Sequence, residues 1–395
     1  MTNDIKNLWK KNASEIIQLI EKKEISPLEV MDSSLNRIEK VNPDINAIVT
    51  IIENEAKENL IQKASYNTKT KLKSMPVFIK DMNDVKNVRT TYGSKLYADH
   101  FPKESDIVVE TIQNNGGIIL GKTNIPEFAA GSHTYNDLFG LTKNPWNTNL
   151  SAGGSSGGSA AALASGMAWF ASGSDLGGSL RNPASWCGVV GLRPTPGLIP
   201  HGPSNFPFVN LSVDGPMARN VEDLSIFLDA MVDYNNKDPL SFKSDFSSYH
   251  ENLQNKKDNK YLIGFTEDFD VFPCDIEVRN MMKNTLKLVQ SLGHEINNSF
   301  PNMSNAEYAF QTIRAYMFYA NYKSLLKKDK KFVKEEIIWN IEKGSKVTVD
   351  DLSKAEKIRA EIYKSTMNFF DNFDFLITPS SIIPPFDAQE KWVRK

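Results

Sequence analysis

Apolar residues follow two periods along this chain, and the alternation between them predicts its architecture. Over residues 13–23, Ile16, Ile17, Leu19 and Ile20 recur at helical spacing. Ser26-Pro27-Leu28-Glu29 reads as an N-cap, a proline at the first helical position and a capping-box glutamate. The helix it opens should stop near Val41, because Asn42-Pro43 follows. Residues 75–79, Met-Pro-Val-Phe-Ile, form a short apolar strand that delivers Lys80-Asp81 at its end. Residues 107–114 are helical, Gly116-Gly117 closes them, and Ile118-Ile119-Leu120 is a buried strand. Residues 261–265 form another strand, before a helix with Val278, Met281, Met282, Leu286 and Val289 on one face. Residues 305–370 are mostly helical, and Phe375-Leu376-Ile377 is one more buried strand. Strands alternating with helices predict an α/β layered fold, a sheet with helices on both faces. No internal repeat appears, and no linker is long enough to force a domain split.

Composition narrows the class without naming it. The 395 residues are 40% hydrophobic and 24% charged, ordinary for a globular chain with ample core. A net charge of −2 implies no broad basic surface for nucleic acid. Two cysteines, Cys187 and Cys274, argue against a disulfide scaffold and suit a reducing compartment. Residues 1–10 are polar, without an apolar signal core, and no run of apolar residues is long enough for a spanning helix. A cytoplasmic protein is the expectation.

The chemistry concentrates in two Gly-Ser clusters. They are Gly153-Gly154-Ser155-Ser156-Gly157-Gly158-Ser159-Ala160 and Gly173-Ser174-Asp175-Leu176-Gly177-Gly178-Ser179-Leu180-Arg181-Asn182-Pro183. A helix-forming apolar stretch, residues 161–170, separates them. Glycine is costly to order, so such clusters mark backbone that approaches a ligand or exposes several N–H groups. Flexible linkers are the plainer reading, and the apolar residues packed against both clusters weaken it.

Gly116-Gly117-Ile118-Ile119-Leu120-Gly121-Lys122-Thr123 matches the phosphate-binding P-loop pattern letter for letter. A P-loop follows a strand and curls around phosphate, whereas here the strand lies inside the motif. ATP binding is therefore not expected. The five histidines, His100, His133, His201, His250 and His294, stand in no nucleophile–base or metal-ligand pattern. An attacking serine would then need another base, and a desolvated lysine is the known alternative. Lys80, at the end of an apolar strand, is in that setting; an exposed strand-end lysine paired with Asp81 is the simpler reading of the residues alone.

The chain resembles the amidase signature family. The resemblance is carried by Pro76-Val77-Phe78-Ile79-Lys80-Asp81, Gly121-Lys122-Thr123-Asn124 with Glu127-Phe128, Asn144-Pro145-Trp146, both Gly-Ser clusters, residues 187–195 (Cys-Gly-Val-Val-Gly-Leu-Arg-Pro-Thr) and Asp214-Gly215-Pro216-Met217-Ala218-Arg219. It implies one amidase domain over residues 1–395, with a central mixed β-sheet covered by helices on both faces. The signature core spans about 75–230, and a variable helical substrate region about 305–370. The family's usual C-terminal segment is expected to be absent, so a completing partner chain or a homodimer enters the picture.

The resemblance also implies a mechanism, residue by residue. Ser179 corresponds to the acyl-accepting nucleophile, Ser155 to the bridging serine and Lys80 to the general base. A cis peptide bond is expected between Gly154 and Ser155. The N–H groups of Leu176, Gly177, Gly178 and Ser179 form the expected oxyanion hole, with Asp175 and Arg181 as supports of the loop. No metal or organic cofactor is implied, and the partner is a small-molecule amide, with no nucleic acid bound directly and no membrane. Leu176 stands where the glutamine-hydrolysing A subunit of tRNA-dependent amidotransferases commonly has a small or hydroxylated residue. Residues 205–213 look more like a stand-alone amidase. The alternatives are that glutamine-hydrolysing subunit or a catalytically silent truncated homologue. Tyr316-Met317-Phe318-Tyr319 and Trp339 line a pocket or, as aromatic residues at helical spacing more often do, pack a core.

Overall fold

Strand β2 (Pro76–Lys80) and the rest of the fold come from a computed structural model, which describes residues 7–64, 70–255, 259–328 and 330–391. The chain packs as two compact units, Met1–Lys256 with Pro385–Lys395, and Lys257–Pro384. The sequence placed no boundary near 257.

In the first unit β1 (Ile48–Ile51) precedes β2, and β3 (Ile118–Thr123) follows. Two small hairpins come next, β4 (Tyr135–Asn136) with β5 (Gly140–Leu141) and β6 (Lys143–Asn144) with β7 (Asn147–Ser151). Then come β8 (Phe170–Asp175), β9 (Val190–Gly191) and β10 (Val213–Ala218). Six of these strands form one sheet in the order β1-β3-β2-β8-β10-β9. The three central strands, β3, β2 and β8, are parallel and the outer pairings antiparallel, so the sheet is mixed as expected. Every residue of β2 and β3 is buried, which is why both read as unbroken apolar runs rather than as alternation.

The pleat divides those residues between two cores. Val77, Ile79, Ile119 and Phe170 join one cluster, with Val108, Val109, Ile112 and Phe227 from helices Ile107–Asn114 and Val221–Met231. Phe78, Leu120, Ala171 and Met217 join the other, with Met31, Ile38, Ala161 and Leu163 from helices Pro27–Ile45 and Gly157–Ala164. The sheet thus carries helices on both faces.

Several element ends differ from the sequence pattern. The Ser26 capping box opens its helix as predicted, but the helix passes Pro43 and ends at Ile45. The end is set instead by Asn46, in the left-handed region, and by the Asn42 side chain, which accepts from the N–H groups of Ala47 and Ile48. The stretch between the Gly-Ser clusters is helical only to Ala164 and becomes strand at Phe170. The P-loop look-alike is β3 itself, as its Ile-Ile-Leu positions indicated.

In the second unit β11 (Leu262–Phe265) lies between β12 (Glu295–Asn297) and β13 (Phe375–Ile377), parallel to both. Helices Ile276–Ser291, Ala306–Tyr322, Glu335–Gly344 and Val349–Phe370 accompany this sheet. A Cβ on Gly264 would lie 2.4 Å from Phe369 Cζ, so β11 and the last helix pack as closely as glycine permits. In Ile276–Ser291, Val278 and Met282 are buried while Met281 is exposed, a narrower apolar face than predicted. Phe318 is buried, whereas Tyr316 and Trp339 are exposed, so the aromatic set serves a core only in part. No helix among the described residues is long and apolar enough to cross a membrane. Residues 1–6 of the polar N-terminus lie outside the described residues.

Candidate active site

β2 carries Lys80 to the end of the sheet with its side chain wholly buried. Desolvation disfavours the ammonium and lowers its pKa from 10.5 to about 7, while Asp214 and Asp175 pull the other way. Nζ lies 2.7 Å from Ser155 Oγ and 2.8 Å from Ser174 Oγ, with the Ser174 carbonyl at 3.4 Å. The Lys80 N–H donates to Ser172 Oγ at 3.0 Å, so two serines at alternate positions of β8 fix the lysine from beside it. Asp81, the partner that the simpler reading gave Lys80, pairs with Lys122 at 3.4 Å.

Ser155 follows a cis peptide bond from Gly154, at the position the resemblance implied. A Cβ on Gly154 would sit 2.8 Å from the His133 nitrogen, so this segment approaches its neighbour as only glycine can. The next N–H, of Ser156, donates to the Ser179 carbonyl at 3.2 Å and binds the two Gly-Ser clusters directly together. The buried Lys80 and Ser155 lie inside, Ser179 is half-buried and Gly177 is exposed. Ser155 Oγ takes its hydrogen bond from Lys80; among the described residues none joins it to Ser179 Oγ.

Asp175, fully buried, organises the turn between β8 and helix Arg181–Cys187. Its carboxylate accepts the N–H of Gly178 at 2.8 Å and of Leu180 at 3.1 Å. Arg181 grips it with Nε and Nη2 at 3.1 and 3.0 Å, and Arg193 Nη1 lies 3.3 Å away. Burial alone would raise this carboxyl's pKa; Arg181 and the two N–H donors outweigh it and hold it at about 2. The four N–H groups expected to form the oxyanion hole differ in their present partners. The Gly178 N–H is already spent on Asp175, whereas no hydrogen bond among the described residues occupies those of Leu176, Gly177 and Ser179.

The structure therefore brings Lys80, Ser155, Ser179, Asp175 and Arg181 to one place. It adds Ser174 and Arg193, which lay inside the quoted motifs without an assigned role. The serine pair Ser172 and Ser174, spaced by two on a strand, was the available signal.

The family model described as Amidase matches residues 29–393. The A subunit of the glutamyl-tRNA(Gln) amidotransferase of Sulfurihydrogenibium sp. is 33% identical, over 97% of this chain and 85% of that protein. An acylamidase of Rhodococcus erythropolis is also 33% identical, over 97% of this chain and 82% of its own length. Among solved structures, a bacterial aryl acylamidase of the amidase signature enzymes superposes with a TM-score of 0.87 at 25% identity, covering 95% of this chain and 81% of that one.

Proposed function

This chain belongs to the amidase family, whose members hydrolyse amide C–N bonds, and we propose that it does so as a stand-alone amidase with Ser179 as nucleophile. Ser155 and Lys80 are the proton relay. The observation that carries this reading is the 2.7 Å approach to Ser155 Oγ of a fully buried lysine whose Nζ has no ion-pair partner among the described residues. Neutral Lys80 accepts a proton from Ser155 as Ser155 accepts one from Ser179. Ser179 Oγ attacks the amide carbon, and the carbonyl oxygen becomes an oxyanion. The unoccupied N–H groups of Leu176, Gly177 and Ser179 are the donors available to that charge; one such donor is worth about 10²–10³ in rate. The proton returns through Ser155 to the departing nitrogen, the C–N bond breaks, and water releases the acid from Ser179 by the same relay. The Ser155–Ser179 hydrogen bond that the relay needs is of the kind that commonly forms only with substrate in place.

The relatives divide between an acylamidase and amidotransferase subunits. Leu176, an apolar residue next to the exposed Gly177, supports an acyl amide over glutamine. The test is intact mass after treatment with a fluorophosphonate, followed by turnover of an aryl acylamide and of glutamine. One adduct, absent from Ser179→Ala, with aryl acylamide turnover, is the expected result. Ammonia release from glutamine alone would replace this reading with the amidotransferase one, and a folded protein that takes no adduct would make it a silent homologue.

A further inference from the structure

We propose that His201 is a positioning residue for Lys80, acting through Asp214: the His201 ring holds the Asp214 carboxylate and so governs the negative charge that Lys80 meets across the sheet. The inference rests on Lys80 being the base of the relay. Asp214 lies on β10 in register with Ser174 of β8, and Ser174 Oγ is 2.8 Å from Lys80 Nζ. His201 Nδ1 is 2.7 Å from Asp214 Oδ2. The other oxygen, Oδ1, accepts from Asn83 Nδ2 at 3.1 Å, and the same amide nitrogen lies 3.1 Å from Asp106 Oδ2. Asp238 Oδ2 accepts the His201 N–H at 2.9 Å and anchors the loop that carries the ring.

The charges around this line have definite signs. Lys80 faces two carboxylates, Asp214 and Asp175, and Asp175 already has Arg181 and Arg193. Asp214 is 2% exposed, and His201 is its one cationic hydrogen-bond partner among the described residues. His201 itself faces Asp214, Asp106 and Asp238, while Asp84 adds to the field at Asp106. The imidazole is partly desolvated, which opposes its charging, and partly exposed to solvent; Asp214 outweighs the desolvation and raises its pKa to about 9, which favours the cation at neutral pH. Burial and the neighbouring Asp214 and Asp84 raise Asp106 to about 7, which limits the negative charge on that side. Without the imidazolium, the bare Asp214 carboxylate would favour the ammonium form of Lys80 and demand a higher pH for catalysis.

The readout is the rate of fluorophosphonate labelling of Ser179 against pH, with thermal melting of each variant as the folding control. His201→Gln is expected to move the labelling midpoint up by about one pH unit. Asp214→Asn should move it down, and His201→Gln should add nothing in that background. His201→Arg, which keeps the cation, should stay at the wild-type midpoint. An unmoved or acid-shifted midpoint in His201→Gln overturns the proposal. So does an alkaline shift that survives in Asp214→Asn, or a displaced midpoint in a folded His201→Arg should His201→Gln fail to fold. The underlying reading fails differently: Lys80→Met would then label at the wild-type rate.

Discussion

Lys80 and Lys122 are both fully buried on neighbouring strands, yet among the described residues only Lys122 has a carboxylate within ion-pair distance, Asp81 at 3.4 Å. Lys80 Nζ meets the oxygens of Ser155 and Ser174 instead. The register explains how two lysines so near differ so much. Val77 pairs with Ile119 but Phe78 with Gly121, so Leu120 is an extra residue in β3. Lys122 consequently pairs with Ile79, and Lys80 with Thr123, which puts the two lysines on opposite faces.

Their substitutions should therefore act in opposite directions. Lys122→Met strands the buried Asp81 and is expected to cost about 3–5 kcal/mol. Lys80→Met removes a desolvated amine and should stabilise the fold while abolishing labelling of Ser179. The pH dependence follows from the low pKa. Between about 7 and 10.5 the unfolded chain holds the Lys80 proton and the folded chain does not, so wild-type stability rises with pH across that window. The advantage of Lys80→Met should be greatest below pH 7 and fade toward the ordinary lysine pKa. Urea unfolding of both proteins at several pH values checks this; a gap that does not narrow would mean that Lys80 is protonated in the folded state.

Much of this site was legible because its geometry is written in short linked segments. Lys80 ends an apolar run, and the two serines sit in glycine clusters, one of which packs against the His133 backbone at Gly154 as only glycine can. What was not legible depends on pairing across distance. The bulge at Leu120 changes no residue type, and nothing near Gly178 in the sequence announces that Asp175 takes its N–H. Pro43 looked like a stop because proline usually is one. It is tolerated in the final turn, where the Asn42 side chain supplies the cap. His201 read as a scattered histidine until β10 laid Asp214 beside Ser174.

Asp175→Asn tests the turn that holds the free N–H groups. The amide keeps the shape but loses the charge that Arg181 and Arg193 share, and one of its two acceptor oxygens becomes an NH2 donor facing the N–H of either Gly178 or Leu180. Arg181 is half-exposed, which screens its part, so a loss of about 2–3 kcal/mol is expected. The carboxyl sits at about 2 in the folded protein against 3.8 ordinarily, so its stabilisation is complete above pH 4 and disappears as pH falls through 2. The two proteins should accordingly converge in acid. Denaturation near neutrality and near pH 3 measures the difference, and an equal gap at both would assign the effect to packing rather than charge.

Gly158→Ala reverses a familiar rule. In the interior of a helix this change usually stabilises by about 1 kcal/mol. Gly158 lies in the first turn of Gly157–Ala164, directly after Ser155 and Ser156. An added Cβ would stand 2.4 Å from the Asn124 nitrogen, 2.5 Å from its carbonyl oxygen and 2.7 Å from the Ala47 carbonyl oxygen. All three are backbone atoms with no rotamer to yield, so the helix must retreat from the end of β3. The Gly158 N–H bond to the Asn124 carbonyl, 3.2 Å in the native chain, would lengthen with it. A loss of about 1–3 kcal/mol is expected in place of the usual gain. Because Ser155 rides on the start of this helix, fluorophosphonate labelling should slow even where the variant remains folded. Stability equal to or above the native protein, with labelling unchanged, would show that the helix start has room that these distances deny.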